Sequence, residues 1–399
     1  MKLSDEGISQ RAFGFLNIAL VIILSLRAVG LVLRMILQLS ECRSWGITEC
    51  LVNYEGGFVR RGLLGQLLFE FTKFTGITPL VPITFLFLVS FGLTIYYFIK
   101  RFKSHNLSLV LLATYSFLGQ GTAQNLFRKD YVIILLFILI LFLYRKINRG
   151  WIKLFVMHTL VVLILFLHEG FFFSFVPILI LIVLTDKSLI QNIMVRLLSF
   201  VPTLAVMALL GLYKGDTETA DAVHASWNAL FDNMLGSEPR ATIKSIGWTT
   251  EYALKFHWAD NFGIDGGWGH IVFITLKSLF SIVCAYYVAS RFIKVFKTDD
   301  SKTKTADYIL FTMLLGFELV SLSPMYFGLS CDYTRLFFYQ TATAFIVYFE
   351  LPKQHLKNLF PRAAILKAHT IISKTDNHFR PNKLLLYLII VVTAADTII

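Results

Sequence analysis

Long apolar runs separated by short polar turns repeat along most of the chain. Taking each run of about 20 residues as one membrane crossing, the pattern predicts seven spans near 14–37, 79–99, 107–125, 130–146, 151–168, 169–186 and 195–213. Four more are predicted near 269–290, 307–325, 334–350 and 383–399. The run 154–185 is too long for one crossing, and His168-Glu169-Gly170 interrupts it, so a helical hairpin with almost no loop is expected there. Residues 58–75 have a different period. Gln66, Glu70 and Lys73 fall on one stripe, and Leu63, Leu67, Phe71 and Phe74 on another. That is the pattern of a helix lying in the membrane interface. The predicted fold class is all-α: a polytopic integral membrane helical bundle of about 11 spans forming one domain over 1–399. It carries an interfacial helix after the first span and one large outer loop.

Composition agrees with this pattern. The chain is 56% hydrophobic and 16% charged, with 38 phenylalanines and a mean hydropathy of +0.68, which excludes an ordinary soluble domain. A net charge of +12 would suit nucleic acid, but the positive-inside rule accounts for it better. With the N-terminus inside, most of the 37 Lys and Arg fall on the inner segments. Outer segments are poorer in them even though they include the long stretches 38–78 and 214–268. The inner stretches 100–103, 145–149 and 353–383 are therefore read as topology signals, the last also as a surface for phospholipid. Met1–Phe13 is polar and reads as a cytoplasmic lead into a retained first span.

Charge on the outer connections has no topological purpose, yet each short one carries some. Asn53–Gly65 packs Glu55, Arg60, Arg61 and four glycines into a short stretch. Its glycines permit a tight turn or a close approach of backbone to a ligand. Arg60 and Arg61 would then stand at a helix N-terminus, where unpaired amides and the helix dipole favour phosphate. Residues 124–130 include Arg128, Lys129 and Asp130; the hairpin tip holds His168 and Glu169; and Asp332 and Arg335 lie three apart. Each group, taken singly, also fits a helix-end anchor or a local ion pair. Together on one side they are expected to line one polar cavity.

Arg27, Arg34, Lys277 and Glu318 fall inside predicted spans, where charge is costly and faces a partner or a wet cavity. An Arg27–Glu318 pair is one expectation; Arg34 and Lys277 would extend the cationic site toward the lipid boundary. In the large loop, Trp227, Trp248, Trp258 and Trp268 stand near carboxylates, fitting either sugar stacking or an interfacial aromatic belt. Cys42 and Cys50 lie on the outer side, and a disulfide between them stays open. With no C-x-x-C, H-E-x-x-H, Walker or dinucleotide pattern, no metal and no cofactor is expected.

The span count, the large outer loop and these outer arginines and acids resemble the Wzy-type O-antigen and capsular polysaccharide polymerases. That resemblance implies an enzyme of the bacterial inner (plasma) membrane with a cytoplasmic N-terminus. It would join glycans carried on polyprenyl diphosphate at the periplasmic face, without metal, alongside a chain-length regulator or flippase. A second resemblance is to GT-C glycosyltransferases that use polyprenyl-phosphate sugars and often carry a catalytic acid in the first outer loop, where Glu55 stands. Both imply arginines on the departing phosphate, here Arg60 and Arg61 with Arg128 and Arg335. Both also imply a carboxylate or imidazole on the acceptor hydroxyl: Glu55 first, then Asp332, His168 and Glu169. A transporter or lipid flippase, and a membrane O-acyltransferase using His168, complete the range of expectations.

Overall fold

The computed structural model describes residues 44–109, 128–189, 191–232, 234–262, 286–294, 301–330 and 332–378. Single positions are also described within 15–30 and 272–283, and at 112 and 386. Every regular element among them is helical, and no strand occurs among the described residues. The expected first and last spans, most of 107–125 and most of 269–290, with Arg27, Arg34, Cys42, Trp268 and Lys277, lie outside the described residues.

Among the described residues, three stretches are long and apolar enough to cross a membrane: Leu80–Ser104, Gly150–Leu167 and Ile193–Leu212. The first is helix α3, following α1 (Trp45–Cys50) and α2 (Gly62–Thr75). Then come α4 (Asp130–Lys146), α5 (Gly150–Leu167) and α6 (Phe172–Thr185). The third stretch is broken at Ser199–Phe200 into α7 (Ile193–Leu198) and α8 (Val201–Leu212). Pro202 opens α8, where its missing N–H costs nothing. Helix ends follow the dipole: α4 begins with Asp130 and ends with Arg145 and Lys146. Shorter helices α9 (Thr217–Leu230), α10 (Ala241–Ile246) and α11 (Thr250–Phe262) occupy the expected large loop. The chain continues through α12 (Ser301–Ser321), a π turn at Met325–Leu329 and α13 (Tyr333–Glu350) to α14 (Lys353–Asn358) and α15 (Arg362–His378).

Two apolar cores hold these elements. The larger joins α3, α4, α5, α6, residues 288–293, α12 and α13. Phenylalanines fill it, as in Phe137 stacked on Phe175 at 4.1 Å and Phe311 against Phe345 at 4.4 Å. Helices α4 and α13 run parallel within it and are pinned at both ends. Arg335 meets Asp130 where the two helices start, and Arg145 meets Glu350 where they finish. Arg101 at the end of α3 also reaches Glu350, so one pole of the bundle carries that acid and the other carries Asp130.

The second core is smaller, and the linear pattern does not show it. Ile47, Leu51, Leu68 and Phe69 pack with Val223, Trp227, Ile243 and Ile246, uniting segments 38–78 and 214–268. Trp227 is fully buried. Its indole N–H donates to the Leu51 carbonyl at 2.7 Å, and Phe69 meets its ring edge-on at 5.1 Å. The expectation of a sugar platform or interfacial belt at Trp227 is therefore corrected: the ring fastens one segment to the other. Thr242 does the same, its N–H donating to Thr48 Oγ1 and its hydroxyl to the Trp45 carbonyl.

Helix α2 shows why its glycines are there. A Cβ on Gly65 would stand 1.9 Å from the Val52 carbonyl oxygen, so only glycine lets the helix lie on that segment. Gly62 is pressed against the Tyr54 ring, and Gly57, at φ +106°, closes a turn back to Tyr54. These glycines admit the protein's own backbone and rings. The protein-facing side of α2 is Gly62, Gly65, Leu68, Phe69 and Thr72, while Leu67, Phe71 and Phe74 stay exposed. An apolar stripe facing away from both cores suits a helix lying against lipid.

Candidate functional site

The pole that carries Asp130 collects most of the charged groups singled out from the sequence. Its centre is the turn Arg128-Lys129-Asp130, whose consecutive side chains reach three different segments. Arg128 contacts Asp332 at 2.5 Å. Asp130 receives Arg335 through two bonds of 2.6 and 2.9 Å, with the Tyr339 hydroxyl also on that carboxylate. Lys129, fully buried, donates to the carbonyls of Arg61 at 3.0 Å and Leu167 at 3.3 Å. Burial lowers the Lys129 ammonium from its ordinary value. Two backbone carbonyls and nearby acids keep the site suitable for its charge.

The Lys129 contact fixes an unusual piece of backbone. Arg61 has φ 66° and ψ 3°, a left-handed conformation that costs a non-glycine residue on the order of 1 kcal/mol. Its carbonyl is held by Lys129, and its side chain forms a fork on Glu169, with Nε to Oε2 at 2.8 Å and Nη2 to Oε1 at 2.6 Å. Arg60 touches the same carboxylate once, Nη1 to Oε1 at 3.2 Å. Burial pushes the Glu169 carboxyl up, but Arg61 and Arg60 outweigh it and hold it well below the usual carboxylate range. Glu169 thus supplies an anion to the arginine pair from within the chain. The neighbouring amides are also engaged: Arg60 N–H donates to Tyr213 O, and Gly62 N–H to Val59 O.

Behind Arg61 lies Glu49 of α1, a carboxylate the sequence reading did not single out. It is 1% exposed, and its Oε1 has no hydrogen-bond partner. His168 Nε2 stands 3.5 Å from that oxygen and Arg61 Nη1 3.9 Å. Gly170 N–H donates to His168 Nδ1 at 3.1 Å, which puts the imidazole proton on Nε2, facing Glu49. Burial, with the charge of Arg61 next, holds His168 well below its ordinary value, so the ring is neutral at pH 7. The only sequence signal for Glu49 was a lone carboxylate in W-G-I-T-E-C.

Phe171 joins the two halves of the pole, with its ring 5.5 Å from His168 and 4.4 Å from Tyr339. The structure therefore brings Arg60, Arg61, His168 and Glu169 into one network, and Arg128, Asp332 and Arg335 into an adjoining one. Arg335 acts electrostatically on both Arg61 and His168. Glu55 is placed apart. It is exposed, and its carboxylate accepts from Gln66 at 3.1 Å rather than from either arginine. Arg34 and Lys277 lie outside the described residues. Lys129, Asp130, Tyr339 and Glu49 were not chosen as site residues from the sequence, because their partners are remote in the chain.

Arg60 is the most open member, its side chain 36% exposed. With Arg61 and Lys214 it lines a small pocket whose other walls include Thr242 and Ser245 of α10. Lys214 is a further cation there, and its ammonium reaches Thr250 Oγ1 at 3.0 Å. Arg60, Arg61, Arg128, Lys129 and Arg335 face Glu49, Asp130, Glu169 and Asp332, so the named cations exceed the carboxylates before Lys214 is added. Cys50, beside this network, is a free thiol, pushed up to about 12 by burial. Among the described residues no group of three His, Cys, Asp or Glu side chains is set to hold a metal.

The chain matches no family model, no curated protein and no solved structure.

Proposed function

We propose that this pole is the active site of a membrane glycosyltransferase, of the kind that polymerises O-antigen or capsular glycan on a polyprenyl-diphosphate carrier. In this reading the chain is a polytopic bundle of about 11 spans in the bacterial inner membrane, with the pole on the periplasmic side. The observation that carries it is the excess of cations at a small pocket reached by Arg60 and Lys214, next to buried acids and a neutral histidine. An anion is the ligand such a site favours, and a phosphate at the level of helix ends is the form in which a lipid carrier presents one.

In the reaction the sugar C1–O bond to the carrier phosphate breaks and a C1–O bond to the acceptor hydroxyl forms. The departing polyprenyl diphosphate takes the electron pair, and Arg60 and Lys214 stabilise it. Arg61, locked on Glu169, holds that carboxylate and the Arg60 backbone in place. The acceptor proton goes to a carboxylate. Glu55, the exposed carboxylate of the same segment as Arg60, is the first choice, and Glu49, buried behind Arg61 with an unpaired oxygen beside His168, is the alternative.

The test uses membranes supplied with a polyprenyl-diphosphate-linked oligosaccharide, at matched protein levels. Arg60→Gln should lower transfer by about tenfold or more, and loss of the general base in Glu55→Gln by about a hundredfold or more. A ladder of products supports a polymerase; a single unit added only when a polyprenyl-phosphate sugar is supplied in place of that donor supports the other type of transferase. Unchanged transfer in Arg60→Gln, Glu49→Gln and Glu55→Gln would remove this pole from the reaction.

A further inference from the structure

A second polar site lies within the bundle, separate from the network described above. Glu318 on α12 is 1% exposed and is surrounded by helices of the larger core. Its Oε2 is 3.4 Å from Ser174 Oγ on α6, and Ser174 Oγ is 3.0 Å from Thr343 Oγ1 on α13. Three helices thus each bring one oxygen-bearing side chain to a single place. The other carboxylate oxygen, Oε1, is buried with no hydrogen-bond partner. Among the described residues no charged group acts on Glu318. Gln340, one turn before Thr343 on α13, is also uncharged and is engaged with Leu315 O and Tyr326.

A carboxylate enclosed this way either keeps its proton or takes a positive partner, because a dry unpaired charge costs several kcal/mol. The geometry narrows the choice. A separation of 3.4 Å between Ser174 Oγ and Glu318 Oε2 is longer than a good hydroxyl–carboxylate hydrogen bond. It matches two oxygens sharing one cation of sodium or calcium size: ligands about 2.4 Å from the ion and at right angles stand about 3.4 Å apart. One carboxylate and two neutral hydroxyls balance one positive charge, not two. We propose that Glu318, Ser174 and Thr343 form a binding site for a monovalent cation, Na+.

Its position gives the site a role. Ser174 lies five residues along the chain from Glu169, and Thr343 lies one turn beyond Tyr339, whose hydroxyl is on Asp130. At 1.5 Å per residue that is less than about 10 Å beneath the charged pole. A bound ion ties α6, α12 and α13 together under Asp130, Arg335 and Glu169, and sets how firmly that pole is held. The inference does not rest on glycosyl transfer.

Thermal unfolding of the full chain in detergent micelles tests it, in NaCl, KCl or choline chloride at equal ionic strength, at pH 6 and pH 8. NaCl should raise the midpoint of the wild-type protein by several degrees over choline chloride at pH 8. The measurement at pH 6 separates a response to Na+ from a response to protons alone. Glu318→Gln should abolish the gain. Ser174→Ala keeps the acid, so it stays informative if the glutamine variant fails to fold. It should raise the half-saturating Na+ concentration about tenfold or more. A transition that ignores Na+ overturns the site, including one in which Glu318 responds to pH alone. Sodium dependence that survives both substitutions overturns it as well. So does dependence that appears only in Arg27→Gln, which would make Arg27 the counter-ion.

Discussion

Arg61 and Glu169 stand 108 positions apart in the chain, yet two parallel bonds of 2.8 and 2.6 Å join them. The fork ties the first turn of α2 to the tip between α5 and α6, and so fastens the smaller core onto the larger one. A bidentate arginine–carboxylate contact fixes orientation as well as distance, which a single lysine contact does not. It also holds Arg61 in its left-handed conformation. Local sequence alone would not choose that conformation.

Breaking the pair from one side should therefore cost more than removing it. Arg61→Leu leaves Glu169 buried without its fork, and a loss of about 3–5 kcal/mol is expected. The double variant Arg61→Leu with Glu169→Leu should recover a substantial part of that, since the carboxylate that lost its fork is removed as well. Arg61→Lys should fall between the single variant and the wild type. Unfolding midpoints in micelles for the wild type, Arg61→Leu, Glu169→Leu and the double variant form the cycle, with Arg61→Lys measured beside them. A double variant as unstable as Arg61→Leu would show that the charge itself, not its pairing, stabilises this junction.

His168 gives the pH dependence a definite sign. Burial and the charge of Arg61 hold its folded value well below the ordinary 6.5. Below pH 6.5 the unfolded chain therefore binds a proton that the folded chain refuses. Stability is present above that pH and declines as pH falls through this range. Glu169, held low by Arg61 and Arg60, adds a further loss only below the ordinary carboxylate value. His168→Gln should flatten the slope between about pH 6.5 and pH 5. An unchanged slope would assign it to other histidines among the 9 in the chain.

The smaller core should be sensitive at two positions that touch no charged group. A methyl group on Gly65 meets the Val52 carbonyl at 1.9 Å. Gly65→Ala should therefore destabilise by about 1–3 kcal/mol or more, because backbone must move. Trp227→Ala empties a fully buried site and leaves the Leu51 carbonyl without its donor. A cost of about 3–5 kcal/mol is expected. Thermal midpoints and protease sensitivity near 44–76 would report both. Tolerance of Gly65→Ala would mean that α2 lies farther from residues 50–52 than described.

Cys50 should behave as an inert thiol. Burial pushes it up to about 12, so almost no thiolate exists at pH 8. Maleimide should leave Cys50 unmodified in the folded protein and label it after unfolding, read by mass spectrometry of the peptide. Rapid labelling under native conditions would mean that α1 opens readily.

The alternation of apolar runs and turns decided much on its own. It placed α3, α4, α5, α6 and α13 close to their observed limits, because a long apolar run bounded by polar or turn residues folds as one buried helix. It also marked the stretches around Arg60, Arg128, His168 and Asp332 as exceptional, since charge beside such runs is costly. Tertiary structure decided which partner each charge takes. Nothing in N-Y-E-G-G-F-V-R-R-G predicts that Arg61 meets Glu169 while Glu55 turns to Gln66, because neighbours in space are set by how helices pack, not by spacing along the chain. For the same reason Trp227 passed for a surface ring until Leu51 and Phe69 enclosed it. Glu49 is unremarkable in W-G-I-T-E-C, and its environment comes from His168 and Arg61, which the fold carries to it across the end of the bundle.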